Sequence, residues 1–80
     1  MVIILTKKKA ELLKLMTKKG RITIKDQNIF SPLAFRINMS LFENEGIAIR
    51  DGYNDRKIVW KITDKGIKLA KLGGELFEGI

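Results

Sequence analysis

The sequence predicts a single small α+β domain, and three observations carry that reading. Stretches near residues 7–19, 32–45 and 64–72 repeat apolar residues at helical spacing, each behind a side chain able to cap a helix. Stretches 21–25, 47–50 and 57–62 are short β-type runs rich in branched residues. The chain has 80 residues, enough for one domain and one modest core.

Thr6 is placed to cap a helix over Lys7–Lys19, which Gly20 ends. Leu12, Leu13 and Met16 share its apolar face, flanked by Ala10 and Leu15, while Lys7, Glu11, Lys14 and Lys18 form the opposite stripe. Arg21-Ile-Thr-Ile-Lys25 alternates polar and apolar residues, as a half-buried strand does. Asp26 is expected to cap a brief helical turn through Gln27-Asn-Ile-Phe30.

Ser31-Pro32 is a stronger start signal, a cap followed by proline at the first helical position, where its missing N–H costs nothing. It predicts a helix from Pro32 to about Glu45, closed by Gly46. On its wheel Phe35, Met39 and Phe42 lie together, and Leu33, Ile37 and Leu41 make a second ridge. So broad an apolar arc predicts a helix wedged into the structure on more than one side, with Arg36, Ser40 and Glu43 in the polar sector.

Ile47–Arg50 and Lys57–Ile62 read as the strands of a hairpin around a loop of several residues, Asp51-Gly-Tyr-Asn-Asp-Arg56. Ile58, Trp60 and Ile62 point to one face of the second strand. Thr63 caps a last helix from Asp64 to about Leu72, broken or loosened by Gly73-Gly74. The domain core is therefore expected over about residues 6–72, with 73–80 as a C-terminal tail.

Composition narrows the function. The chain has neither cysteine nor histidine, which removes disulfides, thiolate metal sites, the commonest general base and the commonest metal ligand. Its nine carboxylates are scattered, and no Gly-rich phosphate loop has a known spacing. No enzyme, metal, cofactor or small-molecule ligand is expected. Met1–Leu5 is too short for a leader core, and no run of roughly 18 apolar residues exists, so a soluble, cytoplasmic chain without a membrane partner is expected. The net charge is +7, all of it in residues 1–25, where eight basic residues face the single acid Glu11. A basic region on a small chain attracts polyanions, nucleic acid first among them, or simply solubilises a helix surface.

Two stretches, taken with the order of elements, resemble passages of a known family. Ser31-Pro-Leu-Ala-Phe-Arg-Ile-Asn-Met-Ser-Leu-Phe-Glu-Asn-Glu-Gly-Ile47 resembles the recognition helix of winged helix-turn-helix proteins running into L-x-x-x-G-(apolar), with Phe42 in the leucine's place. Trp60-Lys-Ile-Thr-Asp-Lys-Gly-Ile-Lys-Leu-Ala70 resembles that family's aromatic-x-L-T-x-x-G-x-x-L passage from the second wing strand into the final helix. The resemblance spans roughly residues 6–72, and its second stretch is the more specific. It implies a three-helix core, a β-hairpin wing and a C-terminal helix. One departure stands out: the interval from Lys25 to Ser31 is shorter than the family's usual second helix and turn.

The resemblance further implies a transcription regulator that binds double-stranded DNA sequence-specifically. Helix 32–45 would lie in the major groove, where every base pair shows a distinct donor and acceptor pattern. Ser31, Arg36 and Ser40 suit that helix, and Arg36 could read a guanine through two hydrogen bonds or instead pair with Glu43. The wing, 50–57, offers Arg50, Asn54, Arg56 and Lys57 to phosphates or the minor groove. Asp51 and Asp55 oppose that attraction or tie the loop together, and Asn38 reads as a buried hydrogen-bonding residue. A homodimer is expected, with Val2, Ile3, Ile4, Leu5, Leu76, Phe77 and Ile80 as surplus apolar material for its interface. The alternative is a winged helix used as a protein-interaction module in a transcription or replication assembly, and RNA binding is a third reading. Where the basic groups fall discriminates between them, since a DNA binder needs them on the side of helix 32–45 and the wing.

Overall fold

Every α-helix in the computed structural model, which describes residues 4–77, starts on a side-chain cap. The Thr6 hydroxyl accepts from the Lys9 N–H (3.2 Å) at the head of α1 (Lys7–Lys19), and Ser31 accepts from Ala34 (3.3 Å) at the head of α2 (Pro32–Asn44). Thr63 accepts from Gly66 (3.1 Å) at the head of α3 (Asp64–Leu76). These caps satisfy N–H groups that have no partner inside the helix. Strands β1 (Arg21–Ile22), β2 (Ala48–Asn54) and β3 (Lys57–Ile62) form one antiparallel sheet in the order β1-β3-β2. The chain is thus a small α+β fold of three α-helices and a three-stranded sheet.

One core joins these elements. Leu12, Leu13 and Met16 of α1 meet Phe35, Met39 and Phe42 of α2, with Ile22, Ile47, Trp60 and Ile62 from the sheet side. Trp60 and Ile62 lie on the inward face of β3, as the alternation requires, with Ile58 half-buried beside them. Asn38 is buried in this core and donates to the Ala34 carbonyl at 2.8 Å. Among the described residues no helix is long and apolar enough to cross a membrane.

Four local expectations are corrected. The brief helix capped by Asp26 does not form. Thr23 takes the cap instead, and the only turn is a 3-10 helix at Ile24–Asp26. Asp26 closes a capping box by accepting from the Thr23 N–H at 2.7 Å, and leaving the sheet for that cap is what ends β1 at Ile22 rather than Lys25. The Gln27 side chain then holds the non-helical link to α2. It accepts from the Phe30 N–H (2.8 Å) and donates to the Phe30 carbonyl (3.1 Å).

The hairpin loop is much tighter than its turn-rich sequence implies. Asn54 pairs with Lys57, leaving a two-residue turn, Asp55-Arg56, with both residues at positive φ (52° and 64°). The remaining turn residues are absorbed by a bulge, where Asp51 and Gly52 stand between the Arg50–Trp60 and Tyr53–Ile58 pairs.

Helix α2 is not wedged in on two sides. Phe35, Met39 and Phe42 are buried, but Leu33 and Ile37 are 67% and 54% exposed. They lie roughly opposite the buried face, and a two-layer domain of this size has no third layer to cover them.

Helix α3 does not stop at Leu72. It runs through Gly73 and Gly74 to Leu76, and Gly73 is buried. Gly66 is buried as well, because a Cβ there would run into the Ile47 carbonyl oxygen and the Ile62 side chain. Thr63 fixes the same corner by donating from its hydroxyl to the Gly46 carbonyl at 2.6 Å. The T-x-x-G spacing is therefore a joint between α3 and the end of α2.

Candidate nucleic-acid interface

Among the described residues, every buried side-chain polar atom has a hydrogen-bond partner, so the interior aims nothing at a ligand. The chemistry lies on the outside. Between the first turns of α2 and the hairpin runs an open groove of about 600 Å³, with Ile24, Pro32, Phe35, Ile58 and Trp60 among its lining. Lys25, Arg36, Arg56 and Lys57 also line it. Three of the residues singled out in the sequence, Arg36, Arg56 and Lys57, thus share one groove although they come from two elements.

The hairpin's acids are already engaged. Asp51 pairs with Arg21 of β1, and Asp55 pairs with Lys25 (3.2 Å) from the 3-10 turn. Both partners belong to the basic N-terminal third of the chain, so part of its excess charge is folded back onto the hairpin. Arg36 is exposed and makes no ion pair among the described residues; Glu43, the alternative partner the sequence offered it, is taken by Arg50 at 2.9 Å. That leaves Arg36, Arg56 and Lys57 around the groove without an ion pair among the described residues.

Arg50 is the residue whose expected role changes most. Its guanidinium bonds Glu43 of α2 and also lies over the Trp60 ring, 5.3 Å from the centroid. Trp60 is its cross-strand partner in the β2–β3 ladder. Arg50 therefore ties the hairpin to α2 and is not among the residues that line the groove. The Ser31 hydroxyl is occupied by the α2 cap, Ser40 is half-buried on α2, and Asn54 is exposed beside the turn.

Two features escaped the sequence reading. Lys25 belongs to the groove, which no local pattern announces, since its place depends on the 3-10 turn. The outward strip of α2 also holds Leu33 and Ile37 beside Arg36, Ser40 and Asn44. The helical wheel contained that signal, because these positions oppose Phe35 and Phe42.

A second groove, about 480 Å³, runs along α1 and is lined by Lys7, Lys14 and Lys18 together with Glu11 and Asp26. Its mixed charge makes it a contributor to the positive field more than a site. Among the described residues no cluster of acidic side chains is placed to hold a metal ion. No protein-family model, curated protein or solved structure matches this chain.

Proposed function

We propose that the chain is a winged helix-turn-helix domain that binds double-stranded DNA with sequence preference, regulates transcription and works as a homodimer. The element order supports the fold reading, with the 3-10 turn at Ile24–Asp26 standing where the second helix of such a domain would be. The observation that carries the function is the groove between α2 and the hairpin, where Arg36, Arg56 and Lys57 converge while both hairpin acids are paired. Helix α2 is about 20 Å long, and a helix of that girth enters the major groove of B-DNA. Arg36 then faces base edges, and Arg56 and Lys57 face phosphates or the minor groove.

Gel-shift titration on random duplex DNA at about 50 and 200 mM salt tests this reading, followed by selection of preferred sites. Neutralising several phosphates releases counterions, so affinity should fall steeply with salt. Affinity that is absent or flat would overturn the proposal. A second reading, a protein-interaction module, draws on one observation, the exposure of Leu33 and Ile37 on α2. It predicts no salt-dependent duplex binding.

A further inference from the structure

The aliphatic pair on α2 is set among polar groups and stands outside the core formed by the described residues. Leu33 and Ile37 are one turn apart, 67% and 54% exposed, and share their strip with exposed Arg36 and Asn44 and half-buried Ser40. The strip carries no acid: Glu43, at its margin, is held by Arg50. It continues into the groove cations Arg36, Arg56 and Lys57. A protein partner would have to cover this aliphatic pair and supply counter-charges for that rim as well. The major groove supplies phosphates for the rim and offers one apolar feature to an aliphatic side chain, the C5-methyl group of thymine.

Resting on the DNA-binding reading, we infer that Leu33 and Ile37 are specificity-determining residues that pack on thymine methyl groups on either side of the position faced by Arg36. Four residues of helix rise about 6 Å, close to two base-pair steps, so the two side chains reach two distinct thymines of one half-site. Arg36, between them in sequence, faces a guanine edge. The favoured half-site is therefore thymine-rich around a guanine.

The test uses the full chain and the duplex it selects from a random pool. Each thymine is replaced singly by deoxyuridine, which deletes the methyl and keeps the base pair, and affinity is read by fluorescence anisotropy. Loss of about fourfold is expected at each contacted thymine, the equivalent of one buried methyl. In Leu33→Ala one of these sensitivities should vanish, in Ile37→Ala the other, and Ile37→Val should retain most of it. Both side chains are exposed, so the variants should keep the wild-type circular dichroism and melting temperature. Binding that is indifferent to every deoxyuridine, or sensitivities unchanged in both variants, would overturn the inference and leave DNA binding standing. Variants that bind DNA normally but lose self-association would assign the strip to a second copy of the chain and also overturn it. Absence of duplex binding by the wild type would remove the parent reading itself.

Discussion

Gly73 of α3 lies against Ala10 of α1 so closely that a Cβ on Gly73 would stand 2.8 Å from the Ala10 Cβ and 3.4 Å from Cδ2 of Leu5. The two helices meet with almost no side chain between them. Gly73→Ala is therefore expected to destabilise the fold by about 1–3 kcal/mol, because the added methyl must push the helices apart. Its neighbour behaves oppositely. Gly74 is exposed and a Cβ there would meet nothing within 4 Å outside its own helix backbone, so Gly74→Ala should gain up to about 1 kcal/mol of helix propensity. Urea unfolding of both variants reads the contrast, and a stabilised Gly73→Ala would show that the helices do not need that contact.

Arg56 occupies the second position of a two-residue hairpin turn at φ 64°, where glycine is the favoured residue. A bulky side chain in the left-handed region costs roughly 1 kcal/mol or more. An arginine kept at such a cost fits a functional use for its guanidinium. Arg56→Gly should accordingly raise stability by about 0.5–1 kcal/mol and weaken duplex binding, reducing the salt slope by about one unit. Thermal melts and salt titrations on one preparation measure both. A variant gaining stability with undiminished affinity would remove Arg56 from the interface.

Three cations that look equivalent in the sequence should separate by role. Arg50 bonds Glu43 and stacks on Trp60, with its side chain half exposed, so Arg50→Ala should cost about 1 kcal/mol of stability with little change in salt slope. Lys57→Ala should lower affinity evenly across sequences and flatten the slope by about one. Arg36→Ala should chiefly blunt sequence preference, since base contacts specify while phosphate contacts position. Denaturation, salt titration and site selection on the three variants distinguish these outcomes. A flattened slope in Arg50→Ala would mean that its pairing with Glu43 opens on DNA.

What the sequence made legible was whatever a single element decides. Thr6, Ser31 and Thr63 mark their helices because capping is settled within four residues. The inward face of β3 follows from alternation alone. Three of the four misreadings share a cause, competition between neighbours or elements; the exposed ridge of α2 was instead decided by the number of layers. Thr23 outcompeted Asp26 for a cap, and a bulge at Asp51-Gly52 shortened the loop to Asp55-Arg56. Gly73 looked like a helix breaker and is a helix contact, which only the position of Ala10 reveals. The groove was half legible. Arg36, Arg56 and Lys57 could be named from the sequence, whereas Lys25 joining them and Arg50 leaving them depended on tertiary pairing.

One helix and one hairpin cover only a few base pairs, and two copies related by a two-fold axis would read a palindromic site. Of the apolar residues expected at the interface, Val2, Ile3 and Ile80 lie outside the described residues. Leu5 is spent on the core beside Gly73, and Phe77 is half-buried. Ile4 remains 76% exposed, and Leu72 and Leu76, one turn apart on α3, are 47% and 61% exposed. Because Leu5 abuts Gly73, Ile4 stands at the same end of the fold as those two leucines. We predict a dimer through this end of α3, formed at protein concentrations of tens of micromolar, about where a modest apolar interface should associate. Leu72→Lys together with Leu76→Lys should give a folded monomer, because neither side chain is buried, and should weaken binding to a palindromic duplex more than to a single half-site. Truncation at Leu72 would be a poorer probe, since it also removes the Gly73 contact. Sedimentation equilibrium on the full chain and on the double variant decides the matter. A wild-type monomer across that concentration range, or a double variant that still dimerises, would place the two-fold contact elsewhere or abolish it.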